Sequence, residues 1–332
     1  MKKITSTILG FAILLFLNIA HANSSQGNLI VFGDSLSDNG NNTWVFATGA
    51  PITSLDEEGN RFTWVNYLAK KLFNNSVYPI HEVGQDKSRI LSNNINYAYA
   101  SADTSNDFLA ADWPDNKSIP TANLACKNPG LLKNSDGKVI SSCVPGLLNQ
   151  VEAYLNDVHH TPNSNTLFFI WAGGNDLFYK LPLGVSPKDI ITVAVSNIVN
   201  AKNKLIASGI SPKNIYVLNL PDLSKSPYAI EHSLQLTELT IAFNTTLQMA
   251  LTTSVNGSTN APLQVSHIIS IFDLLNEMTA APTQYNFSNL QESCVKDAEI
   301  PLCKGFLFYD GKHPTATAHH YIADYVSSRI ER

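Results

Sequence analysis

Charge is scarce in this chain, and basic charge scarcer still. Of 332 residues, 15% are Asp, Glu, Lys or Arg, and the formal net charge is −5. There is no block of Lys and Arg, which argues against nucleic acid as the main partner. The four cysteines show no C-x-x-C or C-x-x-H spacing, so no zinc site is expected. His81, His159, His160, His232, His267, His319 and His320 have no ligand spacing with carboxylates or thiols either, so neither metal nor cofactor is expected. Beyond the first two dozen residues no run is apolar enough to cross a bilayer, so the mature chain is expected to lack a transmembrane segment. No internal repeat or low-complexity linker divides it.

The N-terminus has a different character. Met1-Lys2-Lys3 is followed by an apolar stretch, Ile8 to Ile19, and then by Ala20-His21-Ala22. A basic start, a short apolar core and a small-x-small site predict a secretory signal peptide over residues 1–22. Residues 23–332 then form one exported domain, without Lys2 and Lys3 and with a net charge of −7. Four cysteines in an exported chain favour disulfides. Of three pairings, Cys126–Cys143 with Cys294–Cys303 is preferred, because each pair brackets a Pro/Gly- or polar-rich loop. The second loop stands just before Asp310, where it is either a staple or a lid over the site.

Four apolar runs predict buried strands: Leu29–Phe32, Thr166–Trp171, Asn214–Leu220 and Val265–Phe272. Helical spacing is read over Phe62–Phe73, Pro145–Val158, Pro187–Ser208, Leu234–Thr253 and Thr315–Ile330. Strands alternating with helices predict an α/β fold, a three-layer α/β/α sandwich around a mainly parallel sheet. The long loops Asp38–Arg61, Asp103–Cys143 and Ala280–Phe306 are expected at the carboxyl ends of the strands, where ligands bind. Trp44, Phe46, Trp64 and Trp113 lie in or beside them and suit either an apolar wall for an acyl chain or ordinary loop anchors, whereas Trp171 reads as core.

Four segments carry chemistry. Gly33-Asp34-Ser35-Leu36 follows the first strand and puts a hydroxyl at the sheet edge, where it needs a base to become nucleophilic. Asp310-Gly311-Lys312-His313-Pro314 puts a carboxylate three residues from an imidazole, close enough to orient it. Gly173-Gly174-Asn175-Asp176 offers a side-chain amide after a sharp turn, a donor suited to an oxyanion. Asn96-Tyr97-Ala98-Tyr99-Ala100-Ser101-Ala102 is a small-residue turn that could present a backbone N–H. Taken singly, each also reads as a cap or a turn.

Together, in this order and spacing, the four segments resemble the blocks of the GDSL or SGNH hydrolase family across the whole mature chain. The resemblance implies Ser35 as nucleophile, His313 as general base and acid, and Asp310 as its orienting carboxylate. The implied oxyanion hole is the Ser35 N–H, the Ser101 N–H and the Asn175 side chain. The second block departs from the family, with Ala100-Ser101 where two glycines are usual; a positive φ there would strain Ser101. Within the family, Ser35–Asn42, Gly59–Trp64 and Asn219–Leu223 resemble a secreted bacterial lipolytic branch. That branch includes lysophospholipases A of the Legionella type and glycerophospholipid–cholesterol acyltransferases. The expected activity is therefore ester hydrolysis on a lipid, foremost a lysophospholipid at a membrane surface, with a sterol as alternative acyl acceptor. The rivals are a carbohydrate acetylesterase of the same fold and a catalytically inert binding protein.

Overall fold

The computed structural model describes residues 27–41, 52–84, 86–111, 130–133, 139–253, 261–295 and 302–330, with no side chains over 107–143. The predicted signal peptide, Trp44, Phe46, Trp113 and Cys126 lie outside the described residues, so the Cys126–Cys143 pairing does too.

Six strands form the main sheet: β1 (Leu29–Gly33), β2 (Val77–Pro79), β3 (Asn94–Asn96), β7 (Leu167–Trp171), β8 (Ile215–Leu218) and β9 (Ile268–Ile269). Their order is β2-β3-β1-β7-β8-β9, and every pair is parallel. Side chains alternate across a strand, and here both sets are apolar. Ile30, Phe32, Phe168, Ile170, Ile215 and Val217 enter one buried cluster, while Leu29, Val31, Phe169, Trp171, Tyr216 and Leu218 enter another. A sheet with two apolar faces needs helices on both. The first face packs against α2 (Leu147–Asp157), α4 (Pro187–Ala207) and α5 (Thr237–Thr252). The second packs against α1 (Trp64–Phe73), α6 (Ile271–Ala280) and α7 (Ala316–Ser327). This is the expected three-layer α/β/α sandwich.

The chain runs from β1 outward to β2 and β3 on one side, then to β7, β8 and β9 on the other. Such a reversal opens a crevice at the carboxyl ends of the strands beside it. One expected strand is different. Of Val265–Phe272, only Ile268–Ile269 is strand; Ser270 then caps α6 by accepting from the Asp273 N–H. An apolar run cannot by itself tell a strand from a buried helix start, and here the serine divides the two.

Two long loops carry structure of their own. Within 103–143, β4 (Asp107–Ala111), β5 (Gly130–Lys133) and β6 (Val139–Pro145) form an antiparallel sheet in the order β4-β6-β5. Within 280–306, β10 (Asn289–Ser293) pairs with β11 (Phe306–Phe308). The Cys294–Cys303 disulfide closes the span between them, with Cα atoms 5.6 Å apart.

Candidate active site

Ser35 stands two residues past the end of β1, half-buried. The strand can end there only because residue 33 is glycine: a Cβ would lie 2.2 Å from the Trp171 carbonyl oxygen. The buried Gln150 amide of α2 clamps the Gly33 backbone, accepting from its N–H and donating to its carbonyl, both at 2.8 Å. The chain then turns sharply, with the Ser37 and Asp38 N–H groups both donating to the Asp34 carbonyl at 3.0 Å. Asp34 is buried and its Oδ1 accepts from the Leu36 N–H at 3.0 Å. Burial pushes its carboxyl up to about 7, against the Leu36 hydrogen bond and the charge of His313.

Asp310 and His313 arrive together on the turn before α7. Asp310 Oδ1 accepts from the N–H groups of Lys312 and His313, each at 2.8 Å, and its Oδ2 is 2.7 Å from His313 Nδ1. His313 Nε2 lies 2.8 Å from Ser35 Oγ. The fold thus brings Ser35, Asp310 and His313, the first and last 278 positions apart in sequence, into one hydrogen-bonded chain. Burial works against the imidazolium, but the Asp310 carboxylate and its hydrogen bond prevail and raise the His313 pKa. Burial likewise works against ionised Asp310, and His313 with the two backbone donors prevails, lowering the Asp310 pKa.

Asn175 opens α3 (Gly174–Lys180), directly after β7. Gly173 has φ +120°, and a Cβ there would meet the Phe243 ring at 2.4 Å. The Asn175 amide donates one hydrogen to the Ala102 carbonyl at 2.8 Å; an amide nitrogen carries two, so its direction is fixed while the second remains for a ligand. Ser101 has φ +69°. It occupies the left-handed region that favours glycine, at a cost of about 1–2 kcal/mol. Its neighbours hold it there: the Ala100 N–H donates to Asp38 Oδ2 at 2.8 Å, and the Ala102 N–H to the Tyr99 carbonyl at 3.1 Å. The Ser101 hydroxyl also hydrogen-bonds Tyr179 of α3. A further clamp joins this turn to α3. Buried Asp176 accepts from the Thr104 N–H and hydroxyl, each at 3.0 Å, and Lys180 Nζ bridges Asp176 and Asp103 at 2.6 and 3.0 Å.

Ser35, Ser101, Asn175 and His313 line one cavity of about 330 Å³. Asp34, Asp222, Ser226 and Lys312 also line it, and its apolar part runs between α6 and α7, with Leu274, Leu275, Met278, Leu307, Ala318 and Ile322 among its residues. Of the two tryptophans, Trp171 is core as expected, and Trp64 joins it there instead of the cavity wall. Trp171 also lines the cavity, and Trp64 is fully buried, donates to Ser37 Oγ at 3.1 Å and packs edge-on against Phe169 and Trp171. Gln150 and the α6–α7 wall carry no motif, so sequence reasoning passed over them; Asp176 closes the Gly173–Asp176 segment, but its clamp on Thr104 and Lys180 was not read from it.

The family model described as GDSL-like Lipase/Acylhydrolase matches residues 29–326. The secreted effector protein SseJ of Salmonella typhimurium is 25% identical over 181 residues, 52% of this chain and 42% of that protein. The chain thus matches less than half the length of that relative. Two solved structures are similar at low identity. The acetyl xylan esterase AlAXEase is 11% identical, with 91% of this chain and 100% of that one covered and a TM-score of 0.43. Phospholipase A1 from Streptomyces albidoflavus NA297 is 13% identical, with 92% and 99% covered and a TM-score of 0.42. Likeness at this level carries no argument about substrate. Among the described residues, no helix is long and apolar enough to cross a membrane, and no cluster of His, Cys, Asp and Glu could hold a metal ion.

Proposed function

The chain belongs to the GDSL-like lipase/acylhydrolase family, and within that family of carboxylic ester hydrolases we propose an exported lipid esterase acting on lysophospholipids. The observation that carries this reading is the apolar cavity of about 330 Å³ that opens at Ser35 and runs between α6 and α7. An acetylesterase needs room for a methyl group. This cavity, with its run of leucine, methionine and isoleucine side chains, has room for a much longer chain.

In this reading Ser35 Oγ attacks the acyl carbonyl while His313 Nε2 takes its proton, and Asp310 stabilises the imidazolium that forms. The tetrahedral oxyanion lies against the Ser35 and Ser101 N–H groups and the free hydrogen of the Asn175 amide. His313 returns the proton to the departing alcohol oxygen, leaving an acyl-enzyme. A water, deprotonated by His313, then releases the fatty acid and regenerates Ser35; a sterol hydroxyl in its place gives acyl transfer. The Cys294–Cys303 disulfide supports an oxidising destination outside the cytoplasm, and the matched relative is itself named a secreted effector.

Fatty acid release from lysophosphatidylcholine by wild type and Ser35→Ala, with and without cholesterol, tests the proposal. Wild type releases fatty acid and reacts with a fluorophosphonate probe, and Ser35→Ala does neither. A cholesteryl ester product adds acyl transfer. Equal release by both proteins removes Ser35 from the reaction, and a folded wild type inert to the probe rejects an esterase.

A further inference from the structure

The turn that carries Ser35 and the turn that carries Ser101 are separate segments, and side chains of the first hold the backbone of the second. Asn41 donates both amide hydrogens across, to the carbonyls of Asn96 and Ala98, each at 2.9 Å. The Asn96 amide donates back to the Ser37 carbonyl at 2.6 Å. Asp38, fully buried three residues past Ser35, ties the two turns together. Its Oδ1 accepts from the Gly40 N–H and its Oδ2 from the Ala100 N–H, both at 2.8 Å. The neighbouring N–H groups are engaged as well: Tyr97 and Tyr99 donate to the carbonyls of Val31 and Gly33, Ala98 to Asn96 Oδ1, and Ala102 to the Tyr99 carbonyl. Among the described residues, only the Ser101 N–H of this run has no acceptor, and Ser101 lines the cavity with Ser35 and Asn175. Where that N–H points depends on Ser101 keeping φ +69°, a conformation that glycine takes freely and serine does not.

We infer that Asp38 is a positioning residue for the reaction. By gripping the Ala100 N–H it holds Ser101 in the left-handed conformation and keeps the Ser101 N–H aimed at the acyl oxygen over Ser35. A glycine at position 101 would need no such grip. This rests on the ester-hydrolase reading of the site and not on the choice of lipid. Asp38 is absent from the cavity lining, and a carboxylate repels an oxyanion rather than stabilising it. Its effect on rate therefore passes through the backbone it holds, and residues 38 and 101 are coupled.

The test is a double-mutant cycle of Asp38→Asn with Ser101→Gly, assayed for kcat and KM on nitrophenyl acetate and for the rate of fluorophosphonate labelling. Asparagine keeps the shape of the side chain but turns an NH₂ group toward one of the two N–H donors. With Ser101 in place, Asp38→Asn lowers kcat roughly tenfold, the weight of holding a residue other than glycine in the left-handed region. KM changes little, because an oxyanion contact counts in the transition state. In the Ser101→Gly background the same change costs less than about threefold, since glycine keeps the turn unaided. Should Asp38→Asn not fold, replacing Ala100 by lactic acid deletes its N–H alone and carries the same expectation in both backgrounds. Equal losses with and without Ser101→Gly overturn the role of Asp38, because the damage then does not pass through residue 101. An Asp38→Asn enzyme as fast as wild type overturns it too. A folded wild type inert to the probe rejects the esterase reading, and the role of Asp38 with it.

Discussion

If the cavity between α6 and α7 holds the acyl chain, shortening it should shorten the preferred substrate. Ala318 is buried on α7 and lines the cavity, so Ala318→Leu sends three more carbons into it. The helix tolerates the change, since leucine is nearly as good a helix former as alanine. A leucine entering empty space also avoids most of the roughly 1–3 kcal/mol that overpacking costs a filled core. Each methylene transferred from water to the cavity is worth about 0.8 kcal/mol, roughly fourfold in kcat/KM. Displacing two to three methylenes therefore lowers the ratio of nitrophenyl decanoate to nitrophenyl butyrate hydrolysis roughly 15- to 60-fold. The assay is kcat/KM across the C2–C14 nitrophenyl esters, with the acetate ester reporting on the triad alone. Coincident chain-length profiles for wild type and Ala318→Leu, with both proteins folded to the same Tm, would refute the acyl channel and reopen the acetylesterase.

Two further predictions follow from the charged groups. The base must be neutral to act, so kcat/KM should rise with pH through an apparent pKa above the ordinary histidine value, because Asp310 raises that of His313; Asp310→Asn should lower this limb and cut kcat roughly 10³- to 10⁴-fold. Stability moves the other way: protonated His313 contributes below the unfolded pKa and the contribution is lost as pH rises through the folded one, while ionised Asp310 contributes above its unfolded pKa and is lost as pH falls through its lowered one. Asp34 is held up to about 7 mainly by burial, so its protonated form stabilises the fold at low pH, and that contribution fades as pH rises from about 4 to 7. Asp34→Asn keeps an acceptor for the Leu36 N–H but cannot ionise; relative to wild type it should gain roughly 4 kcal/mol in unfolding free energy over that interval. A pH-independent difference in urea titrations would show that Asp34 does not carry a raised pKa.

The frame of the protein was legible where local chemistry was also global chemistry. The runs ending at Phe32 and Trp171 read as buried strands because both their faces are apolar, and the sheet does cover both. Ser35, Asn175, Asp310 and His313 were legible for a related reason: each sits in a short turn whose glycines, carboxylate or proline announce it, and the turns need no distant partner to form. The strand expected at Val265–Phe272 failed because hydropathy does not see the cap at Ser270. Trp64 was expected at an apolar wall and lies in the core beside Trp171, because a bulky apolar side chain is equally at home in either place. Only the position of α6 and α7 decides between them. Substrate choice lies wholly in that second class. The channel is assembled from residues 36 to 322, none of them unusual for its own element. The candidate triad follows from motifs, whereas the cavity wall follows from packing between segments far apart in sequence. A change of specificity within this scaffold should therefore map to α6 and α7 while leaving every motif residue as it stands.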